Sequence, residues 1–299
     1  MTLRVALVTA GAARELDEDL PPLEAAMHAA GNKARVVEWD DPDVDWASFD
    51  FALLRSTWDY IDRLPDFLTW VESAARRTTV LNSPSVVRWN TDKHYLAELA
   101  RAGAPVVPSS FIDPGEDPER ALSAFLGRHD CVEYVVKPSV GAGSRDTQRH
   151  RRNELGPALA QAQRLLHVGR GVLLQPYLDS VDRDGETALI YFRGRFSHAI
   201  RKGALLLPGA KASPAVGLFV PEKIAARTPD SDELHVAQRA LRALPFPLPL
   251  YARVDLIRDA AGHPVLLELE LTEPSLFFAY APGAAERFTA ALVELARAG

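Results

Sequence analysis

Cysteine is almost absent from this chain, and its scarcity excludes two kinds of protein. The single cysteine, Cys131, can support neither a disulfide framework nor a cysteine-rich metal site. The eight histidines show no metal-ligand spacing such as His-Glu-x-x-His. No stretch reaches the roughly 18 apolar residues of a membrane span, and acids follow the short apolar run at the N-terminus. We therefore expect a cytoplasmic protein that does not associate with membranes.

The chain also lacks an excess of positive charge. Its 34 Lys and Arg residues against 40 Asp and Glu residues give a formal net charge of −6. Because a broad nucleic-acid footprint needs a basic surface, nucleic acid is not expected as a partner. Any polyanion must bind at a focused basic pocket. The expected partner is a small molecule, and the sequence leaves a homo-oligomer open.

The N-terminal part of the sequence shows a regular alternation of strand-like and helix-like segments. The 299 residues of the chain suggest roughly two domains. In residues 1 to 90 this pattern predicts strands at 4–10, 34–39, 49–57 and 78–84 and helices at 23–31 and 67–77. Such alternation indicates a parallel sheet, whose ligands bind beyond the carboxyl ends of its strands. The stretch RSTWDY (55–60) falls at one such end.

The pattern changes after residue 90. It predicts helices at 91–103, 117–127 and 155–167 and strands at 131–138 and 171–178. The last third is rich in strands, namely ETALIYF, RFSHAIRKG, LYARVDLI and PVLLELEL, and a helix at 285–298 closes the chain. The expected fold class is α/β, with an α+β arrangement in the C-terminal part.

A glycine loop follows the strand that ends at Lys137, in YVVKPSVGAGSRDT (134–147). Gly141 and Gly143 would let the backbone approach a ligand and direct N–H groups at phosphate oxygens, with the Lys137 ammonium at the root of the loop. No Gly-Lys-Ser/Thr run occurs, so this is not a P-loop. The alternative is a hairpin tip with a solvated lysine.

Two strand-like runs flank the turn-like RDAAGH and predict an antiparallel hairpin. Arg253 and Asp255 share one face of the first strand, and Glu268 and Glu270 share one face of the second. If the loop holds an even number of residues, Asp255 and Glu268 point the same way. Opposed carboxylates need a cation between them, and Mg²⁺ prefers such oxygen ligands. The alternative is an edge strand with one wet face.

Between these elements, LLQPYL reads as a hinge that can offer backbone groups to a planar base. DRDGE reads as a turn, and Glu186 begins the next strand. Arg201 and Lys202 add positive charge on another strand. Each of these features has a structural or surface role as its alternative.

The order of these pieces resembles the ATP-grasp superfamily. The resemblance implies a Rossmann-like domain (1–90), a central subdomain with the glycine-rich loop (91–178) and a C-terminal subdomain with metal-binding strands (179–299). The nucleotide would lie between the last two. The implied ATP-binding residues are Lys93, Lys137, Gly141, Gly143, Ser144, Gln175, Pro176, Tyr177, Leu178 and Glu186.

The resemblance also implies a metal site and catalytic groups. Asp255, Glu268 and Glu270 would hold Mg²⁺, two ions being expected, while Arg253 and Lys137 would act on the transferring phosphoryl group. Many members of the superfamily have asparagine where this chain has Glu270, which makes Glu268 the firmer ligand.

RSTWDY, FSHAIRKG and LELELTEPSLFF resemble ligases related to glutathione synthetase. The resemblance to these ligases implies that ATP converts a carboxylate to an acyl phosphate, which a nitrogen nucleophile then attacks. We expect an intramolecular cyclisation; the alternatives are an intermolecular carboxylate–amine ligase and a non-catalytic nucleotide-binding module. The candidate substrate residues are Arg55, Ser56, Thr57, Arg201, Lys202, Glu273 and Ser275, and the role of Glu273 stays open.

Overall fold

The computed structural model describes residues 2–206 and 223–298, which form three β-sheets with helices packed around them. The strands are β1 (Arg4–Thr9), β2 (Lys33–Glu38), β3 (Phe51–Ser56), β4 (Thr79–Leu81), β5 (Ser110–Ile112), β6 (Glu133–Pro138), β7 (Gln148–Arg151), β8 (Val172–Pro176), β9 (Glu186–Phe192), β10 (Arg195–Lys202), β11 (Ile224–Arg227), β12 (Tyr251–Arg258) and β13 (Pro264–Glu270). The helices are α1 (Leu20–Ala29), α2 (Leu64–Ala75), α3 (Pro84–Asn90), α4 (Tyr95–Arg101), α5 (Pro118–Arg128), α6 (Leu155–His167), α7 (Ser180–Asp184), α8 (Ser231–Arg242) and α9 (Ala284–Ala298).

The first sheet has the order β2-β1-β3-β4, and all of its pairs are parallel. The predicted parallel sheet is therefore confirmed. Strands β1, β3 and β4 are largely buried on both faces, as expected of a sheet covered by crossover helices, whereas the edge strand β2 is only partly buried. The C-terminal helix α9 returns to this part of the molecule, where Phe288 and Leu292 join the core beneath α1.

The second sheet, β5-β8-β6-β7, is antiparallel. One face packs on α5 and α6 through a core that includes Phe125, Tyr134 and Leu165. Helix α6 has the predicted bounds. Strand β7 was not predicted, because its sequence QRHR has none of the apolar alternation that marks a half-buried strand.

The third sheet, β11-β10-β9-β12-β13, is also antiparallel and packs against α8 and α4. Helix α8 and strand β11 were not predicted from the sequence. A capping box marks the start of α8, in which Asp230 and Glu233 each bind the other's backbone N–H. In the described ranges, no helix is long and apolar enough to cross a membrane.

Two predicted elements differ from the structure. The helix expected over 91–103 is shorter, because α4 begins at Tyr95 and Lys93 lies in the turn before it. The turn expected at DRDGE is instead the end of the short helix α7, which stops at Gly185 with a φ of 73°. Glycine adopts this left-handed backbone without steric cost. The next strand begins at Glu186, as predicted.

The predicted hairpin is confirmed, but its register has an unexpected origin. Arg258 pairs with Pro264, so the connecting loop is odd in length, which by itself would put Asp255 and Glu268 on opposite faces. A bulge in β13 adds Leu267 without a partner and corrects the register. Asp255 therefore lies directly opposite Glu268.

Strand β13 is an edge strand, but side chains cover its outer edge. Asn90 donates to the Leu269 carbonyl (2.7 Å) and accepts from the Leu271 N–H (2.7 Å), while the Tyr95 hydroxyl accepts from the Leu269 N–H. Asn82 donates to the Leu271 carbonyl. Side chains therefore satisfy the backbone groups of this edge in place of water.

This arrangement predicts a large effect of Asn90→Ala. The change leaves buried backbone groups of β13 without partners, so we expect the free energy of unfolding to fall by about 2–4 kcal/mol. Urea denaturation followed by circular dichroism measures the loss. Asn153→Ala, at an exposed turn position, is the control and should change little. Equal stabilities of the two variants would contradict the assignment.

Candidate active site

A cavity of about 590 Å³ is lined by residues from all three sheets and the loops that leave them. It collects most of the residues singled out in the sequence. Those in its wall are Lys93, Lys137, Gly141, Gly143, Ser144, Gln175, Pro176, Tyr177, Leu178, Glu186, Lys202, Arg253, Asp255, Glu268, Glu270, Glu273 and Ser275.

The predicted hinge forms a largely apolar part of the wall. Val135, Leu178, Ile257 and Leu267 provide apolar side chains there, a surface suited to one face of a planar base. Gln175 is buried and donates to the Ser109 hydroxyl (3.0 Å), so its side chain is held by the protein.

Arg149, which sequence reasoning missed, holds this region together. Its guanidinium lies 3.6 Å from the centroid of the Tyr177 ring and donates to Asp182 (2.9 Å) and to the Leu206 carbonyl (3.2 Å). It also forms an ion pair with Glu133. A planar guanidinium can stack on a ring while its edge donates hydrogen bonds, which fixes the hinge relative to two other segments.

The glycine loop and two lysines meet beside the hinge. Lys93 Nζ donates to the Gly141 carbonyl (2.7 Å) and lies 3.0 Å from Glu268, and Lys137 Nζ lies 4.0 Å from the other oxygen of that carboxylate. Gly143 (φ 60°) and Ser144 (φ 57°) have left-handed backbone. Burial lowers the pKa of Lys137, although the Glu268 charge opposes this effect.

Arg253 and the acids opposite it form a buried charge network. Arg253 donates to Asp255 (2.9 Å) and pairs with Glu270, while Lys202 Nζ lies 2.9 Å from Asp255. Burial would raise the pKa of Asp255, but Arg253 and Lys202 outweigh it and hold that pKa well below its ordinary value. Burial, against the opposing charge of Arg253, raises the pKa of Glu270 to about 7.

The acids of this network fit magnesium in their chemistry. In the part of the chain that the structure describes, no group of three or more Asp, Glu, His or Cys side chains could hold a metal ion by itself. Mg²⁺ commonly uses only one or two carboxylates and takes its other ligands from water and substrate phosphates. Glu268 is best placed, since only its Oε1 atom pairs closely with a lysine and its Oε2 atom lies 4.0 Å from Lys137, whereas both oxygens of Asp255 accept from Arg253 and Lys202.

The wall next to the first sheet contains residues that sequence reasoning missed. Trp58 and Tyr60 lie in RSTWDY, and Asp17 lies in the loop that follows β1. The Trp58 indole donates to the Glu273 carbonyl (3.2 Å), and Tyr60 shares a hydrogen bond with the Glu273 side chain. Their position in the sequence could have identified them, because they follow the carboxyl ends of parallel strands, where ligands bind.

Four candidate substrate residues do not line the cavity. Arg55, Ser56 and Thr57 are fully buried beneath the wall, where Arg55 donates to the Pro274 carbonyl (3.2 Å). Arg201 is exposed and donates to the Arg183 carbonyl. Neighbouring residues of a strand point to opposite faces, so only Lys202 of the pair Arg201–Lys202 faces the cavity.

The three sheets and their helices form the ATP-grasp fold. Two distant solved structures share the fold. An ATP-grasp ligase, PsnB, has a TM-score of 0.66 at 20% identity and covers 98% of this chain and 99% of its own. D-alanine–D-alanine ligase from Bacillus anthracis has a TM-score of 0.68 at 17% identity, covering 98% and 96%.

Closer relatives specify the family. The cycloserine biosynthesis protein DcsG of Streptomyces lavendulae is 42% identical over 97% of this chain and 98% of its own length. The crystal structure of D-cycloserine synthetase DcsG has a TM-score of 0.91 at 42% identity, covering 98% and 99%. Residues 5–82 match the N-terminal domain model of D-cycloserine synthetase DcsG. The chain therefore belongs to the D-cycloserine synthetase family of ATP-grasp ligases.

Glu273 makes the stability of the ligand-free protein depend on pH. Burial and the nearby charge of Glu270 raise the pKa of Glu273 from 4.5 to about 8. The folded state keeps a proton that the unfolded chain loses above its ordinary pKa. The contribution of the Glu273 proton to the free energy of unfolding is therefore complete below pH 4.5, and it is lost as the pH rises through 8.

The Glu273→Gln variant has a neutral amide at this position, so its stability does not fall with pH for this reason. We expect the Tm of the variant minus that of the wild type to rise by about 3 °C or more between pH 5.5 and pH 8.5. Thermal unfolding without nucleotide at both pH values measures it. Glu15→Gln, at an exposed position, should show no such trend. A difference that does not change with pH would contradict the buried, protonated state of Glu273.

Proposed function

We propose that this protein is an ATP-dependent cyclo-ligase that converts O-ureido-D-serine to D-cycloserine. The products are D-cycloserine, ADP, phosphate, CO₂ and NH₃. The observation that carries the proposal is the 42% identity with the cycloserine biosynthesis protein DcsG over 97% of the chain. The cavity supports it, because basic groups for phosphates and polar residues for an amino-acid-sized molecule lie together there.

The nucleotide would take the part of the cavity formed by the second and third sheets. The segment 175–178 would hold adenine, and Lys93, Lys137 and the loop that contains Gly141, Gly143 and Ser144 would bind the phosphates. Glu186 would lie near the ribose or the substrate. Magnesium, when bound, would neutralise phosphate charge, and we expect two ions held by Glu268 with Asp255 and Glu270.

The chemistry requires two steps. In the first, a carboxylate oxygen of the substrate attacks the γ-phosphorus of ATP, the bond to the β-phosphate oxygen breaks, and an acyl phosphate and ADP form. Arg253 and Lys137 would neutralise charge on the transferring group and hold it in line. Lys202, Glu273 and Ser275 are the candidate substrate residues that line the cavity.

In the second step, the ureidooxy nitrogen attacks the acyl carbon, and phosphate leaves. Water then removes the carbamoyl group from that nitrogen, which takes a proton, and the carbamate splits into CO₂ and NH₃. One water is consumed for each ATP. Ring closure is favoured over hydrolysis of the acyl phosphate because the attacking nitrogen belongs to the same molecule as the acyl carbon.

Product analysis separates this reaction from its alternatives. Purified protein with ATP, Mg²⁺ and O-ureido-D-serine as the sole amino-acid substrate should release ADP, and mass spectrometry should detect D-cycloserine. ADP release that requires a second amine would indicate an intermolecular ligase. Binding of ATP with no ADP formed from this or any other carboxylate tested would indicate a non-catalytic nucleotide-binding module.

Glu268→Gln tests the metal assignment. The amide keeps the size of the side chain but loses the charge that faces Lys93 and Lys137, so we expect kcat to fall by about 100-fold or more with the fold intact. Glu286→Gln, at an exposed position in the first turn of α9, is the control. Unchanged turnover of Glu268→Gln, measured by ADP release, would show that Glu268 is not a metal ligand.

A further inference from the structure

The cavity wall next to the first sheet is acidic. Asp17, Glu18 and Asp19 follow β1, and Glu273 reaches the wall from the loop after β13. We call these four residues the acidic wall. The proposed reaction assigns no role to Asp17, Glu18 or Asp19. A carboxylate oxygen among them that accepts no hydrogen bond from the protein could bind a ligand.

Asp17 has an unused acceptor inside the cavity wall. The residue is 4% exposed. Its Oδ1 atom accepts from the Asp19 N–H (3.0 Å), whereas its Oδ2 atom is buried and accepts no hydrogen bond. The Ser56 hydroxyl, which is hydrogen-bonded to Thr9, lies close enough to the Asp17 carboxylate to lower its pKa. A buried carboxylate oxygen without a donor is costly, so a ligand with positive charge would supply what the protein does not.

The other members of the acidic wall are less suited to bind a cation. The Asp19 carboxylate already accepts from the N–H groups of Phe277 (3.0 Å) and Phe278 (2.8 Å) and lies 3.5 Å from Arg55. Glu18 is exposed, so water screens its charge. Glu273 shares a hydrogen bond with Tyr60 and has a pKa raised by burial to about 8, so it is largely neutral at pH 7.

Arg55 lies near Asp17 but does not line the cavity. Burial raises the pKa of Asp17, while the Arg55 guanidinium opposes that effect. Arg55 is fully buried. A nearby buried cation favours the anionic form of an acid and so partly offsets the effect of burial.

We infer that the Asp17 carboxylate binds the α-ammonium group of the substrate and so selects for a free amino group. The inference rests on the proposed function, in which the α-ammonium is the one cationic group of O-ureido-D-serine. The substrate carboxylate must lie near Arg253 and Lys137, in the other two sheets. Both groups are bound to the α-carbon, so a substrate held in this way contacts the loop after β1 and the phosphate-binding residues with the same end.

Calorimetric titration tests the inference independently of turnover. O-ureido-D-serine and its N-acetyl derivative are titrated into protein loaded with Mg²⁺ and a non-hydrolysable ATP analogue. Acetylation removes the ammonium, so the wild type should bind the free amine roughly 10- to 100-fold more tightly. Asp17→Asn keeps the Oδ1 acceptor but loses the charge, so this variant should bind the free amine and the N-acetyl derivative with nearly equal affinity. Asp17→Glu should retain a preference, and Glu15→Gln should match the wild type.

The possible results are distinguishable. Unchanged affinity of Asp17→Asn for the ATP analogue, with an unchanged Tm, shows that this variant is folded. If it then keeps the wild-type preference for the free amine, Asp17 does not bind the ammonium, and the proposed function stands. If the wild type binds neither compound, the substrate assignment is wrong, and this inference is overturned with it.

Discussion

Charge compensation among buried side chains is the constraint on which the cavity depends. Arg253 lies between Asp255 and Glu270, Lys202 faces Asp255, and Lys93 and Lys137 share Glu268. A single buried charge would be very costly, whereas an alternating set of charges is tolerated. The network therefore fixes cations in the wall before any ligand arrives. Phosphoryl transfer needs such preorganised charge, because the protein contributes mainly positioning and neutralisation.

The backbone of β13 determines where that network lies. The bulge at Leu267 brings Glu268 opposite Asp255, and the register then places Glu270 opposite Arg253. On its outer edge, β13 is tied to α3 and α4 by Asn90 and Tyr95, and Leu266 exchanges backbone hydrogen bonds with Pro105 and Val107. A strand held from both sides keeps its acids in a defined position, which a frayed edge would not.

A second set of contacts connects the first sheet to the loop after β13. The Asp19 carboxylate accepts backbone N–H groups of that loop, and Arg55 donates to the carbonyl of Pro274. Both residues are buried, so these hydrogen bonds are shielded from water and are strong. Glu273 and Ser275 consequently face the same cavity as the phosphate-binding lysines, although they follow a different sheet.

The sequence by itself determined the fold class, the parallel first sheet, helix α6, the hairpin and many of the charged residues that line the cavity. These follow from local rules, namely the period of apolar residues, glycine at turns and charge at strand ends, together with the order of motifs. Only the tertiary structure decided the rest. The bulge at Leu267, the sealing of β13 by Asn90, the stacking of Arg149 on Tyr177 and the unpaired oxygen of Asp17 depend on residues distant in sequence. No local pattern encodes which distant group satisfies a buried polar atom, because that depends on how the three sheets pack together.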